Sequence, residues 1–204
     1  MSTIKVSPRI LNEGETMTTA LIILADGAEE LETISVSDIL ARGGVKVTMA
    51  ALSDKNSTEI TCAHGTVIKT PCLLSTVQDQ NFDAVIVPGG YQGSLNCQKS
   101  KLVKEILKRQ QQSGKLIAAI CAAPGLVLAH HGIITDEEAT GYPGTTDGIR
   151  NLHPDKGVVI DIAHHLITGQ GPAYAADFGS AVLTVLKSAE ITNKVRKGML
   201  FSND

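Results

Sequence analysis

Basic charge is in short supply in this sequence: 18 lysines and arginines face 21 aspartates and glutamates, a formal net charge of -3 with a pI near 6.1. Binding to a nucleic-acid backbone needs a clustered excess of cations, so no nucleic-acid partner is expected, and small molecules or proteins are the expected partners. Long apolar runs are lacking as well. Each is broken by Gly, Pro or a charge well before the ~18 residues of a membrane span, and no N-terminal run resembles a secretory signal core. The expectation is therefore no membrane contact and a soluble, intracellular chain, cytoplasmic with a mitochondrial fraction left open.

Cysteine spacing is equally bare. Cys62, Cys72, Cys97 and Cys121 form no CxxC pair and match none of the usual zinc spacings. They read as reduced thiols of a cytosolic protein, not as a disulfide framework. The histidine pairs His130–His131 and His164–His165 have no third ligand at a useful spacing, and His153 before Pro154 reads as loop, so no metal is expected. Internal repeats, low-complexity tracts and linkers are absent too.

What is present is enough for one sizeable core, since 43% of the 204 residues are hydrophobic. The opening "MSTIKVSPRILNEGET" is polar and aperiodic and precedes a second methionine, Met17. Residues 1–18 read as a flexible extension, an expression remnant or a weak targeting leader, although Glu13 and Glu15 do not suit a mitochondrial presequence. Residues 19–204 read as a single domain. Within it "TALIILA", "VKVTMAAL", "FDAVIVPGG" and "KLIAAIC" are near-continuously apolar, as strands buried on both faces of a parallel sheet must be. Helical segments are expected over residues 29–42, 95–112 and 122–131. A last one carries Phe178, Ala181, Val182, Val185, Leu186 and Ala189 on one face. This alternation predicts a three-layer α/β/α sandwich with a flavodoxin-like, doubly wound, mostly parallel sheet. "GVVIDIAHHLITGQGP" predicts a small antiparallel addition of two strands.

Ligands of such sheets bind beyond the carboxyl ends of the strands, and three features fall there. Cys121 stands between an apolar strand and a helix whose Pro124 suits a first turn, the outline of a nucleophile elbow without its flanking glycines. A helix N-terminus can bring a thiol pKa from about 8.5 into the range of roughly 3.5 to 7.5, although a cysteine there can equally be a small buried hydrophobe. In "VPGG", Gly89 and Gly90 allow a sharp turn with exposed N–H groups, which together with Ala122 could hold an oxyanion. In "ADGAEELET", Glu29, Glu30 and Glu32 crowd a helix start, where carboxylates complement the dipole. Glu32 differs from a surface acid if Leu31 packs inward and the carboxyl faces the strand ends. Desolvation would then raise its pKa and let it hydrogen-bond a thiolate.

"ALIILADGAEELETISVSDILARGGVKVTMAAL", "FDAVIVPGG", "LIAAICAAPGLVLAHHGI" and "LITGQGPAYAADFGSAVL" resemble the PfpI superfamily, and within it the subfamily of the parkinsonism-associated deglycase, DJ-one. The resemblance runs from about Thr19 to about Lys187, and AEExE followed by AAICAAP is a specific combination. It implies that Cys121 is an oxidation-prone nucleophile and Glu32 a protonated glutamate hydrogen-bonded to it. It also implies backbone donors around the sulfur from Gly89, Gly90 and Ala122, an arginine near a dimer interface in Arg42, and a loop lining the site at Gly171 and Pro172. Many members have a histidine before the proline of "ATGYPG", where this chain has Tyr142 before Pro143, so a Cys-His-Glu triad is not available and Tyr142 is expected to line the pocket. His64 stands where relatives have a second arginine, Lys69 replaces a second cysteine, and Cys62 is kept.

The activity so implied is a cofactor-independent, glutathione-independent glyoxalase or deglycase, protective under oxidative stress, acting on methylglyoxal, glyoxal or glycated protein as a homodimer. The alternatives are a redox-sensing chaperone that works through oxidation of Cys121 and, less well supported without the histidine, a cysteine peptidase.

Overall fold

A computed structural model describes residues 17–201. The expected flexible extension lies outside the described residues except for its last two, and Thr18 already accepts the Lys46 N–H at 2.9 Å. From there the chain runs β1 (Thr19–Ala25), α1 (Glu30–Arg42), β2 (Lys46–Leu52), β3 (Glu59–Thr61), β4 (Val67–Lys69), β5 (Cys72–Leu73), α2 (Leu74–Val77), β6 (Ala84–Val87), α3 (Tyr91–Lys99), α4 (Lys101–Gln112) and β7 (Leu116–Ile120). A π-helical segment, Pro124–Ala129, follows, then β8 (Glu138–Ala139), β9 (Asn151–Leu152), β10 (Val158–Asp161), β11 (Leu166–Gly169), α5 (Ala175–Leu186) and α6 (Ala189–Gly198).

Seven strands form one sheet in the order β10-β11-β7-β6-β1-β2-β5, parallel throughout except where β10 runs against β11. β1 shows why its sequence is apolar at every position. Ala20, Ile22 and Leu24 join the core formed with Val36 and Ile39 of α1 and Phe178 and Val182 of α5. Leu21, Ile23 and Ala25 join the opposite core with Ile106 and Leu107 of α4 and Val127 and Leu128 of the π-helical segment. A strand with helices on both faces has no solvent side, so period-2 alternation disappears. The expected three-layer, doubly wound sandwich is the architecture found.

β1 sits where the winding reverses, with β2 on one side and β6 on the other. The loops leaving β1 and β6 are joined at this switch point: Glu29 N–H donates to Gly89 C=O at 3.1 Å and Gly93 N–H to Gly27 C=O at 3.1 Å. This is where an open α/β sheet accommodates a ligand.

Several elements differ from the sequence-based expectation. Residues 95–112 hold two helices, because Ser100 leaves helical geometry (φ -83°, ψ 117°) and its Oγ caps α4 by accepting Val103 N–H. The segment after Cys121 winds as a π-helix, not an α-helix. β10 and β11 pair as the expected antiparallel hairpin, but β11 also lies parallel to β7, with Leu166 opposite Ile117, and so extends the main sheet. The strands of the β3–β4 hairpin are three residues long and only one in three side chains is buried.

Candidate active site

Cys121 follows β7 directly and has φ +64°, a left-handed conformation that a non-glycine residue holds at a cost of roughly 1–3 kcal/mol. Neighbouring backbone imposes it. Cys121 N–H donates to Gly169 C=O at 2.9 Å, and Cys121 C=O accepts Tyr142 N–H at 2.7 Å. The peptide thus continues the sheet on one side and is clamped by the loop after β8 on the other, so the turn into the π-helical segment falls on the cysteine. The elbow read from the sequence is present without glycines because hydrogen bonds supply the constraint.

Three segments converge on the side chain. Backbone N–H groups of Gly90 and Ala122 act on the sulfur. Gly89 N–H points elsewhere, to Glu32 Oε2 at 2.7 Å. Of the three donors expected around the sulfur, Gly90 and Ala122 are placed there and Gly89 serves the carboxylate instead. A methyl group on Gly89 would lie 2.5 Å from Cys121 Cβ and 2.6 Å from Glu32 Oε2, and one on Gly90 (φ +83°) only 2.2 Å from Gly27 C=O. Glycine is required at both positions by this close approach.

Glu32 is fully buried while its neighbour Leu31 is 54% exposed. The condition set on the sequence is reversed: the leucine faces out and the acid faces in. Glu32 shares the buried face of α1 with Thr33, Val36, Ile39 and Leu40, and Glu29 caps the helix, its Oε2 accepting Glu32 N–H at 2.7 Å. Burial pushes the Glu32 carboxyl up to about 7, with the Gly89 N–H pulling it down and the Glu29 charge adding to the rise. Its Oε1 is buried without a hydrogen-bond partner, and the Cys121 side chain lies beside the carboxyl.

Burial also pushes the Cys121 thiol up, to about 12, with the charge of an ionised Glu32 next in importance and the Gly90 and Ala122 N–H groups opposing. This corrects the expectation of a thiol depressed by a helix N-terminus. The two groups titrate together. Two charges cannot share so dry a site, so ionisation of one group holds the proton on the other. When the remaining proton sits on Glu32, the sulfur is a thiolate.

Around this pair the other candidate residues sort clearly. Tyr142, Gly171 and Pro172 are brought together and, with Pro143, Gln170, Ala173 and Tyr174, line a groove of about 230 Å³. Tyr174 was not foreseen; in the sequence it was only one more residue of "GPAYAADFG". Arg42 is not brought to the site. It occupies the last turn of α1, exposed and paired with Asp38 at 2.7 Å. His64, in the β3–β4 turn, lies 3.1 Å from Glu30 and 3.8 Å from Glu29. Against the upward push of burial, hydrogen bonds from its own N–H, from His64 and from Thr66 hold the Glu30 carboxyl down to about 2. These three side chains are the one group of metal-type donors among the described residues. Each acid in it already has a structural task, Glu29 as cap and Glu30 as anchor of the turn. His131 is buried against Cys97 C=O at 3.3 Å, and His164 pairs with Asp161 at 2.7 Å.

A buried cysteine on an elbow, a buried glutamate from the first helix and paired glycines from the switch-point loop come together on a flavodoxin-like sandwich. The chain belongs to the DJ-1/PfpI family, whose model matches residues 18–185. It is 40% identical to Protein dj-1beta of Drosophila melanogaster over 184 residues, covering 89% of this chain and 96% of that one. It is 37% identical to the glutathione-independent glyoxalase DJR-1.2 of Caenorhabditis elegans over 183 residues, covering 87% and 94%. The crystal structure of Drosophila melanogaster DJ-1beta superposes with a TM-score of 0.86 at 38% identity, covering 92% of this chain and all of that one.

Proposed function

We propose that the protein is a glutathione-independent glyoxalase or deglycase that attacks reactive dicarbonyls with the Cys121 thiolate. The observation that carries this is the placement of Cys121 on a left-handed elbow beside the buried Glu32 carboxyl, with the Gly90 and Ala122 N–H groups acting on its sulfur. A relative named as a glutathione-independent glyoxalase supports it.

With methylglyoxal, the sulfur adds to the aldehyde carbon and the carbonyl oxygen becomes the hydroxyl of a hemithioacetal, its developing charge facing the Gly90 and Ala122 N–H groups. Glu32 removes the proton from that carbon and returns one to the neighbouring carbon, which converts aldehyde and ketone into a thioester and a secondary alcohol. Water then cleaves the thioester to lactate and frees the sulfur. The sum is one methylglyoxal plus one water giving one lactic acid, with no oxidant, reductant or cofactor consumed. A hemithioacetal formed on a glycated side chain would be opened by the same groups.

Pure protein given methylglyoxal without glutathione should make lactate, and Cys121→Ser should not, while its circular dichroism stays that of the parent. Lactate formation lost equally in Cys62→Ser and Cys97→Ser, or kept in Cys121→Ser, would remove the basis of this reading. The donors that stabilise an oxyanion would also hold the oxygens of an oxidised sulfur, which supports the redox-sensing chaperone as the second reading; absence of lactate would favour it. A peptidase has less support, since Tyr142 stands where a histidine would activate the thiol and the groove lining contains no histidine.

The chain is further proposed to act as a homodimer through α1, in line with the exposure of Leu31 (54%) and Ile34 (48%) on that helix. Light scattering at micromolar concentration should give about twice the 21.5 kDa of one chain.

A further inference from the structure

The groove next to Cys121 has a composition that methylglyoxal does not use. Its walls are Tyr142 and Pro143 on one side and Gln170 to Tyr174 on the other, with no charged residue among them. Both walls are tied to the cysteine itself: Tyr142 N–H donates to Cys121 C=O, and Gly169, one residue before Gln170, accepts Cys121 N–H. The groove is thereby held beside the Cys121 peptide, within reach of a substituent that extends from the sulfur toward the Tyr142 and Gly171 side.

The groove is flat and apolar by construction. The Tyr142 ring lies over Gly171, whose missing Cβ would be 3.4 Å from the ring, and Tyr174 lies on Gly157, where a Cβ would be 2.2 Å from Cδ1. Pro143 and Pro172 add faces without N–H groups. The Gln170 side-chain amide, the one amide in the lining, is already spent on Pro154 C=O. Both rings remain open to solvent, Tyr142 by 49% and Tyr174 by 38%. Two rings and two prolines around about 230 Å³ suit another ring by stacking and edge contact, whereas a methyl group leaves most of that space to water.

We infer that this groove is a specificity pocket for the substituent on the ketone carbon, and that the protein prefers 2-oxoaldehydes carrying an aromatic group over methylglyoxal. The inference rests on the dicarbonyl reading above and names the substrate class within it. The chemistry keeps the same balance: phenylglyoxal and one water give mandelic acid. Each well-packed carbon in an apolar pocket is worth about tenfold or more in discrimination, so kcat/KM for phenylglyoxal should exceed that for methylglyoxal by at least roughly tenfold.

Steady-state rates with phenylglyoxal and methylglyoxal test it in the parent, Tyr174→Ala and Tyr174→Phe. The ratio of the two kcat/KM values should fall about tenfold in Tyr174→Ala, mainly through KM for phenylglyoxal, and be retained in Tyr174→Phe, which keeps the ring. A parent ratio near one, or a ratio that Tyr174→Ala does not move, overturns the pocket. Product binding separates this failure from failure of the dicarbonyl reading. With no tryptophan and only three tyrosines, two of them in the groove, tyrosine fluorescence reports occupancy directly. Mandelate should perturb it at concentrations at least tenfold below lactate, and Tyr174→Ala should abolish that difference. Equal or absent effects of the two acids overturn the pocket even where no turnover is measured; a mandelate effect without turnover of either aldehyde supports the pocket and removes the dicarbonyl reading alone.

Discussion

Glu32 Oε2 accepts the N–H of Gly89 at 2.7 Å, a bond between the first turn of α1 and the loop that follows β6. It occupies one carboxyl oxygen with a fixed donor and leaves Oε1 buried without a partner, in a carboxyl that lies beside the Cys121 side chain. The proposed proton transfers between Glu32, the sulfur and a substrate carbon rest on this orientation of the carboxyl.

Glu32→Gln should separate these roles. The amide still donates to a thiolate but cannot carry a proton between carbons, so lactate formation should fall by about 10²- to 10⁴-fold. Iodoacetamide labelling of Cys121 should persist. Glu32→Leu removes donor and acceptor together, and the labelling midpoint should move to higher pH. Equal turnover in the parent and Glu32→Gln would show that the proton travels by another route.

Stability should carry the mark of the same carboxyl. Between its ordinary value of 4.5 and the folded value of about 7, the folded chain holds a proton that the unfolded chain has released. Stability is therefore highest below pH 4.5 as far as Glu32 is concerned, falls as pH rises through this window, and is lower by about 3 kcal/mol above it. Glu30, held down to about 2, acts with the opposite sign and only below 4.5. Urea unfolding at pH 5 and pH 8 should show a smaller drop in Glu32→Gln than in the parent; equal drops would mean that Glu32 titrates normally.

Gly89→Ala should be more damaging than its size suggests. The new methyl would meet Cys121 Cβ at 2.5 Å and Glu32 Oε2 at 2.6 Å, so either the nucleophile or the acid must move. A displacement on the order of 1 Å costs about a hundredfold in rate. Turnover should fall at least that far while thermal unfolding remains cooperative, and near-parental activity would show that the two groups need no such closeness.

Peroxide should oxidise Cys121 before the other cysteines, because of these thiols only Cys121 has the Gly90 and Ala122 N–H groups acting on its sulfur, to hold a thiolate or an added oxygen. Burial pushes Cys62 up to about 11, with the Glu30, Glu29 and Asp26 charges adding to it, and Cys97 up to about 12. Cys72 is the half-buried competitor. Peptide mass spectrometry after mild treatment decides it, and a reduced Cys121 beside an oxidised Cys72 would mean that access outweighs thiolate character.

The sheet was legible in the sequence because strands covered on both faces must be apolar at every position. The long helices were legible because a single buried face imposes its period. Cys121 and the glycines of "VPGG" were legible for a related reason, since strand ends are where such sheets leave backbone and side chains unpaired. Only the tertiary structure could decide the rest. That Glu32 points in and Leu31 out is fixed by the packing of α1, whose buried face runs through Glu32, Thr33, Val36, Ile39 and Leu40. That burial raises both members of the Cys121–Glu32 pair depends on a dryness made by segments far apart in the chain. Gly89 turning to the carboxyl, Arg42 remaining with Asp38 and Tyr174 joining Tyr142 in the lining of one groove are likewise products of packing, because spacing along the chain carries no information about which side chain shares which space.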